Sequence, residues 1–187
     1  AELLERLAAL QKRTGLAIDL VGHSAGSIAV CHLLKAASEY PELRFRKIMF
    51  LAPACTSSMF HEGFVSASPA RWQEFRMFTM EDTYEKKDHL LGPLYPRSLL
   101  YFISGVLETV ADMPILGMQR FLSGASPFDA QALSQIGAFL RNAGNDRLVL
   151  SVTRPDVPAG LRSSSQRHGD FDDDSQTLES LREMIRA

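Results

Sequence analysis

Cysteine is scarce in this sequence, with only Cys31 and Cys55 among 187 residues. Two thiols give no disulfide framework and no metal-ligand spacing, which favours a reducing compartment and hence a cytoplasmic setting. Long apolar runs are also missing. The longest, Ser98 to Leu107, is about half of the roughly 20 residues that a membrane-spanning helix needs, so a soluble chain with no membrane span is expected. No secretory leader is recognisable at Ala1-Glu2-Leu3-Leu4. Neither sign of charge dominates, since 20 basic residues against 22 acidic ones leave a net charge of −2. That balance argues against a nucleic-acid partner. What the chain does have is 45% hydrophobic residues, enough to bury the core of one domain over residues 1–187.

Alternating helix and strand patterns point to an α/β fold with parallel βαβ units. Leu3, Leu4, Leu7 and Leu10 have helical spacing within Glu2 to Thr14, and Gly15 suits a helix C-terminus. Strands are expected at Leu16 to Val21, Arg46 to Ala52, Phe75 to Met80 and Arg147 to Val152. Helices are expected from Ala25 to Ser38, near Ser98 to Ala111, at Ala130 to Asn142 and at Ser175 to Arg186. Pro53 to Trp72 reads as a loop with one or two short helices, and Thr153 to Gly169 as a loop. Residues 83–146 stand out as a helical insertion. Its apolar members Leu99, Leu100, Phe102, Ile103, Val106, Leu107, Ile115, Leu116 and Phe121 suit either a cap over an acyl-binding pocket or packing against the sheet.

The most informative segment is Gly22-His23-Ser24-Ala25-Gly26, placed between an apolar strand and a helix. A Gly-x-Ser-x-Gly of this kind is expected by chance only about 0.06 times in a chain of this length. A serine hydroxyl is a poor nucleophile until it is exposed, given a base and faced with N–H donors for the developing oxyanion. A strand-to-helix elbow supplies the exposure, with Gly22 and Gly26 expected to relieve backbone collisions. The first free N–H groups of the helix point where negative charge develops, which makes the Ala25 N–H the expected oxyanion donor.

The order of these elements resembles the C-terminal half of the α/β-hydrolase fold over nearly the whole chain, carried by the Gly22 to Gly26 elbow, Asp82 after the third strand and His168 after the fourth. The resemblance implies a partial hydrolase fold of about four parallel strands, lacking the N-terminal strands and the loop that carries the second oxyanion donor. It also implies a triad in the chain order serine, acid, histidine, namely Ser24, Asp82 and His168. Of the five histidines only His168 lies in the loop after the last strand, where Gly169 gives the backbone freedom to bring the imidazole over Ser24. Asp82 is preferred to Glu81 on strand alternation, with Glu81 and Glu85 as alternatives. The loop Ala52 to Ser58 has no carboxylate. Asp170 to Asp174 lacks the glycine and glutamate of a calcium loop, and Asp174 or Ser175 suits a helix cap instead.

These residues imply a serine hydrolase acting on a small-molecule ester or acyl substrate, without metal or cofactor. Thioester or amide cleavage and acyl transfer would use the same groups, and a non-catalytic interaction domain on the hydrolase scaffold is the competing expectation. The strand at residues 16–21 is expected to have a free edge that pairs with a second copy or a separate N-terminal segment.

Overall fold

The computed structural model describes residues 2–67, 70–90, 95–124, 127–128, 130–142 and 147–187. It is an α/β fold in which four parallel strands lie in the order β1 (Leu20–His23), β2 (Phe45–Leu51), β3 (Trp72–Met80) and β4 (Leu148–Ser151). Helix α1 spans Glu2–Thr14 and α2 Gly26–Ala36, followed by a 3₁₀ turn at Ala37–Glu39. Between β2 and β3 come α3 (Ser57–Phe60) and a π-helical turn at His61–Val65. Between β3 and β4 come α4 (Asp82–Glu85), α5 (Leu99–Phe102) and α6 (Gln131–Leu140), and α7 (Ser175–Arg186) follows β4.

A parallel sheet needs cover on both faces, so its inner strands read as nearly continuous apolar runs. In β2 and β3, Ile48, Phe50, Phe75 and Met77 join a core under α1, α2 and α6. Their neighbours of opposite parity, Met49, Leu51, Phe78 and Met80, join a second core with Leu181 and Met184 of α7. Phe60 stacks on Phe64 at 4.5 Å between ring centroids, and Phe75 packs edge-on to Phe50 at 5.3 Å. Cys31 and Cys55 are both buried and free, and the neighbouring Cys31 thiol together with burial pushes the Cys55 thiol up.

The first strand is shorter at its start than the apolar pattern predicts. Asp19 explains this, because its Oδ1 accepts the Lys47 N–H at 3.1 Å while its carboxylate grips Arg46. A side chain thus occupies the ladder at that level, and regular pairing begins at Leu20. Arg46 and Lys47 also reach across to α7, donating to the carbonyls of Ile185 at 2.8 Å and Met184 at 2.5 Å. These are the carbonyls a helix C-terminus leaves without intrahelical partners. β1 is an edge strand, and Val21 on it is half exposed.

The expected helical insertion is broken into short pieces: α5, a π-helical turn at Ile103–Leu107, a 3₁₀ turn at Gln119–Leu122 and α6. Leu100, Ile115, Met118 and Phe121 pack with Ala54 of the loop after β2. Leu116 joins the main core, whereas Val106 and Leu107 are exposed. Gly117 fits against this loop because a Cβ there would stand 2.5 Å from the Pro53 carbonyl oxygen.

At the strand-to-helix elbow the two glycines have different roles. A Cβ on Gly22 would meet backbone atoms of Gly26 and Ser27 at 2.9 Å, whereas one on Gly26 would meet nothing within 4 Å. The expected collision relief therefore belongs to Gly22 alone. Gly22→Ala is expected to cost about 1–3 kcal/mol by overpacking, whereas Gly26→Ala is expected to be neutral or up to about 1 kcal/mol stabilising. Thermal melts of the two variants side by side check this contrast.

Candidate active site

β1 ends at His23, and Ser24 turns the chain into α2 with φ of 50°, a left-handed conformation that is costly for any residue with a Cβ. The surrounding bonds hold it there. The Ser24 N–H donates to the Leu51 carbonyl at 2.9 Å. Its carbonyl accepts from the N–H groups of Ser27 and Ala54, both at 3.1 Å, and from the Ser27 hydroxyl at 2.7 Å. Ser27 is fully buried, and its Oγ also accepts from the Cys55 N–H at 3.0 Å, which ties α2 to the loop after β2. Ala25 is the N-cap of α2, and its N–H makes no hydrogen bond among the described residues.

His168 sits at the start of a 3₁₀ turn, His168–Asp172, and its Nε2 lies 2.9 Å from Ser24 Oγ. Sequence reasoning assigned the freedom of this loop to Gly169, yet that residue has no positive φ and open space around it. Other groups place the imidazole. Asp170 accepts from the N–H groups of Gln166 and Arg167 at 3.1 and 3.0 Å, which folds the turn. The His168 N–H donates to Asp88 Oδ2 at 2.9 Å. From the elbow, His23 Nε2–H donates to the His168 carbonyl at 3.2 Å, and the two rings stack at 5.5 Å. His23 was read from sequence only as an elbow position, because its contact partner lies 145 residues away.

His168 is buried, and its pKa is lowered to about 4, first by desolvation and then by His23, against the opposing carboxylate of Asp172. The imidazole is therefore neutral at physiological pH and able to accept a proton from Ser24. Its Nδ1 is buried and has no hydrogen-bond partner among the described residues.

The structure does not bring Asp82 to this pair. β3 ends at Met80, so strand alternation, the ground for choosing Asp82, stops before reaching it, and Asp82 opens α4 instead. Its carboxylate accepts from the Tyr101 hydroxyl at 2.6 Å and pairs with Lys86 at 2.5 Å, while its N–H donates to Gln119. Burial and then the Asp82 bond push the Tyr101 phenol up to about 12. Glu81 precedes α4 and makes no side-chain cap bond there. Glu85 is fully buried and accepts a hydrogen bond from the Ser98 hydroxyl, and desolvation raises its pKa to about 8. It is consequently a neutral acid at physiological pH.

The remaining histidines lie elsewhere. His61 bridges Gln135 and Ser66, while His32 and His89 are exposed. In the acidic run, Asp174 caps α7 by accepting from the Thr177 N–H at 2.8 Å, and Asp170 shapes the histidine turn. Among the described residues no group of three or more histidine, cysteine or acidic side chains is arranged to hold a metal ion. Two cavities, of about 450 Å³ beside Leu16–Ile18 and about 420 Å³ between α2 and Trp72, are both lined by residues other than Ser24 and His168. No helix among the described residues is long and apolar enough to cross a membrane.

A scan of family models and searches of curated proteins and solved structures find no match to this chain.

Glu85 and His168, both buried, have opposite effects on stability. Glu85 binds its proton more tightly when folded, so its contribution is present below pH 4.5 and is lost as pH rises towards about 8. His168 binds its proton less tightly when folded, so stability falls as pH drops from 6.5 towards about 4. The window from pH 6.5 to 8 therefore isolates Glu85. There the wild-type melting temperature is expected to fall with rising pH, whereas that of Glu85→Gln stays level.

Proposed function

We propose that this protein is a serine hydrolase of the α/β-hydrolase type that cleaves a carboxylic ester through an acyl-enzyme on Ser24. The observation that carries the reading is the 2.9 Å approach of Ser24 Oγ to His168 Nε2 from an elbow held at positive φ. In the reaction, Oγ attacks the ester carbonyl carbon while its proton passes to Nε2. The tetrahedral oxyanion lies against the Ala25 N–H, and the imidazolium returns its proton to the departing alcohol. Water then attacks the acyl-enzyme with His168 again as base, releasing the acid and regenerating the serine. Thioester or amide cleavage and acyl transfer would use the same two side chains.

A second reading, a binding module that retains this scaffold, is supported by the engagement of Asp82 with Tyr101 and Lys86 and by two cavities lined by residues other than Ser24. The free edge of β1 suits pairing with a further strand, from a second copy or a separate segment, under either reading.

A fluorophosphonate probe separates the two. Covalent labelling that maps to Ser24 and vanishes in Ser24→Ala is expected of the hydrolase. Across a p-nitrophenyl ester series of increasing acyl length, Ser24→Ala is expected to lower kcat by about 10⁴-fold or more without lowering the melting temperature. Absence of Ser24-dependent labelling would favour the binding module.

A further inference from the structure

A histidine that takes the serine proton on Nε2 carries its own proton on Nδ1, and a buried N–H there requires an acceptor. His168 Nδ1 lacks one. Asp82 is held by Tyr101 and Lys86, and Glu85 by Ser98 in a neutral, desolvated state. Asp172 faces His23 Nδ1 at 3.7 Å with its carboxylate mostly in solvent.

Asp88 reaches His168 from the turn after α4. Its own N–H is fixed on the Tyr84 carbonyl at 2.9 Å, and its Oδ2 accepts the His168 backbone N–H, also at 2.9 Å. Among the described residues the carboxylate makes no other hydrogen bond. The backbone N and Nδ1 of one histidine are separated by four covalent bonds, which keeps them within about 5 Å in every rotamer. A carboxylate oxygen seated on the first therefore lies within about 8 Å of the second.

We propose that Asp88 is the positioning carboxylate of the Ser24–His168 pair, with Oδ2 on the His168 backbone N–H and Oδ1 turned to accept Nδ1–H. The proposal rests on the hydrolase reading for its chemistry, but its geometry can be tested separately. As Oγ attacks, the serine proton moves to Nε2 and the ring becomes an imidazolium. The Asp88 carboxylate beside it favours that charge and keeps the Nδ1–H tautomer, and the Nε2 proton then leaves with the alcohol. Glu85, only three residues earlier, is held neutral chiefly by burial, with Asp88 and Asp82 nearby adding to the effect.

Asp88→Asn separates charge from architecture, since the amide oxygen still accepts the His168 backbone N–H while the negative charge is lost. Fluorophosphonate inactivation of the full chain is expected to slow by about 10²–10⁴-fold in Asp88→Asn. The acidic limb of its pH profile is expected to shift to lower pH, because the imidazolium has lost its counter-charge. Partial recovery is expected in Asp88→Glu, and a rate within about threefold of wild type in Asp82→Asn, whose carboxylate is engaged by Tyr101 and Lys86. A wild-type rate and an unmoved limb in Asp88→Asn would overturn the assignment, as would the large loss appearing in Asp82→Asn instead. A ¹⁵N NMR titration of His168 needs no turnover: Asp88→Asn is expected to lower its pKa, and an identical titration in both proteins overturns the proposal. A wild-type protein that shows the Asp88-dependent titration but no labelling at Ser24 would contradict the hydrolase reading while leaving the Asp88 assignment standing.

Discussion

Between Gly22 and the first turn of α2 there is no room for a side chain, and this close approach sets the direction in which Ser24 leaves the sheet. With β1 and α2 so near, the chain can turn only through a left-handed residue. The cost of that conformation, of order 1–3 kcal/mol, is offset by the hydrogen bonds converging on the Ser24 amide and carbonyl. Those bonds come from the ends of β2 and α2 and from the loop that follows β2. The elbow is thus fixed by three pieces of chain that meet only in the folded state.

The histidine is held differently. It has no strand or long helix under it, and its turn is short. Contacts at its carbonyl from His23, at its amide from Asp88 and through the turn from Asp170 fix the imidazole in place of regular structure. Two of these groups lie far away in sequence, on either side of the sheet's end. The position of the base therefore depends on the β1 elbow and on the turn after α4 together.

Much of this was legible in the residues. The helices Glu2–Thr14 and Ser175–Arg186 match their apolar spacing and end signals. The parallel strands follow from apolar runs divided by helical segments, and Ser24 and His168 from motif and order. What was not legible depended on side chains replacing backbone. Asp19 occupies the ladder inside the expected strand Leu16 to Val21, and α4 starts before strand parity can be applied to Asp82. The expected long helix at 98–111 gives way to one α-helical turn and a π-helical turn, because its apolar residues serve Ala54 and the loop after β2 rather than a single helix face. The contact between Asp88 and His168 joins residues 80 positions apart, which no local pattern records.

Helix α7 links the two ends of the sheet. Its C-terminal carbonyls are taken by Arg46 and Lys47 at the start of β2, and its N-terminus is capped by Asp174, two residues beyond the histidine turn. Twelve residues of α-helix make a strut about 18 Å long, stiff along its axis. One rigid element therefore ties the Arg46–Asp19 pair at the start of β2 to the segment that follows the histidine turn.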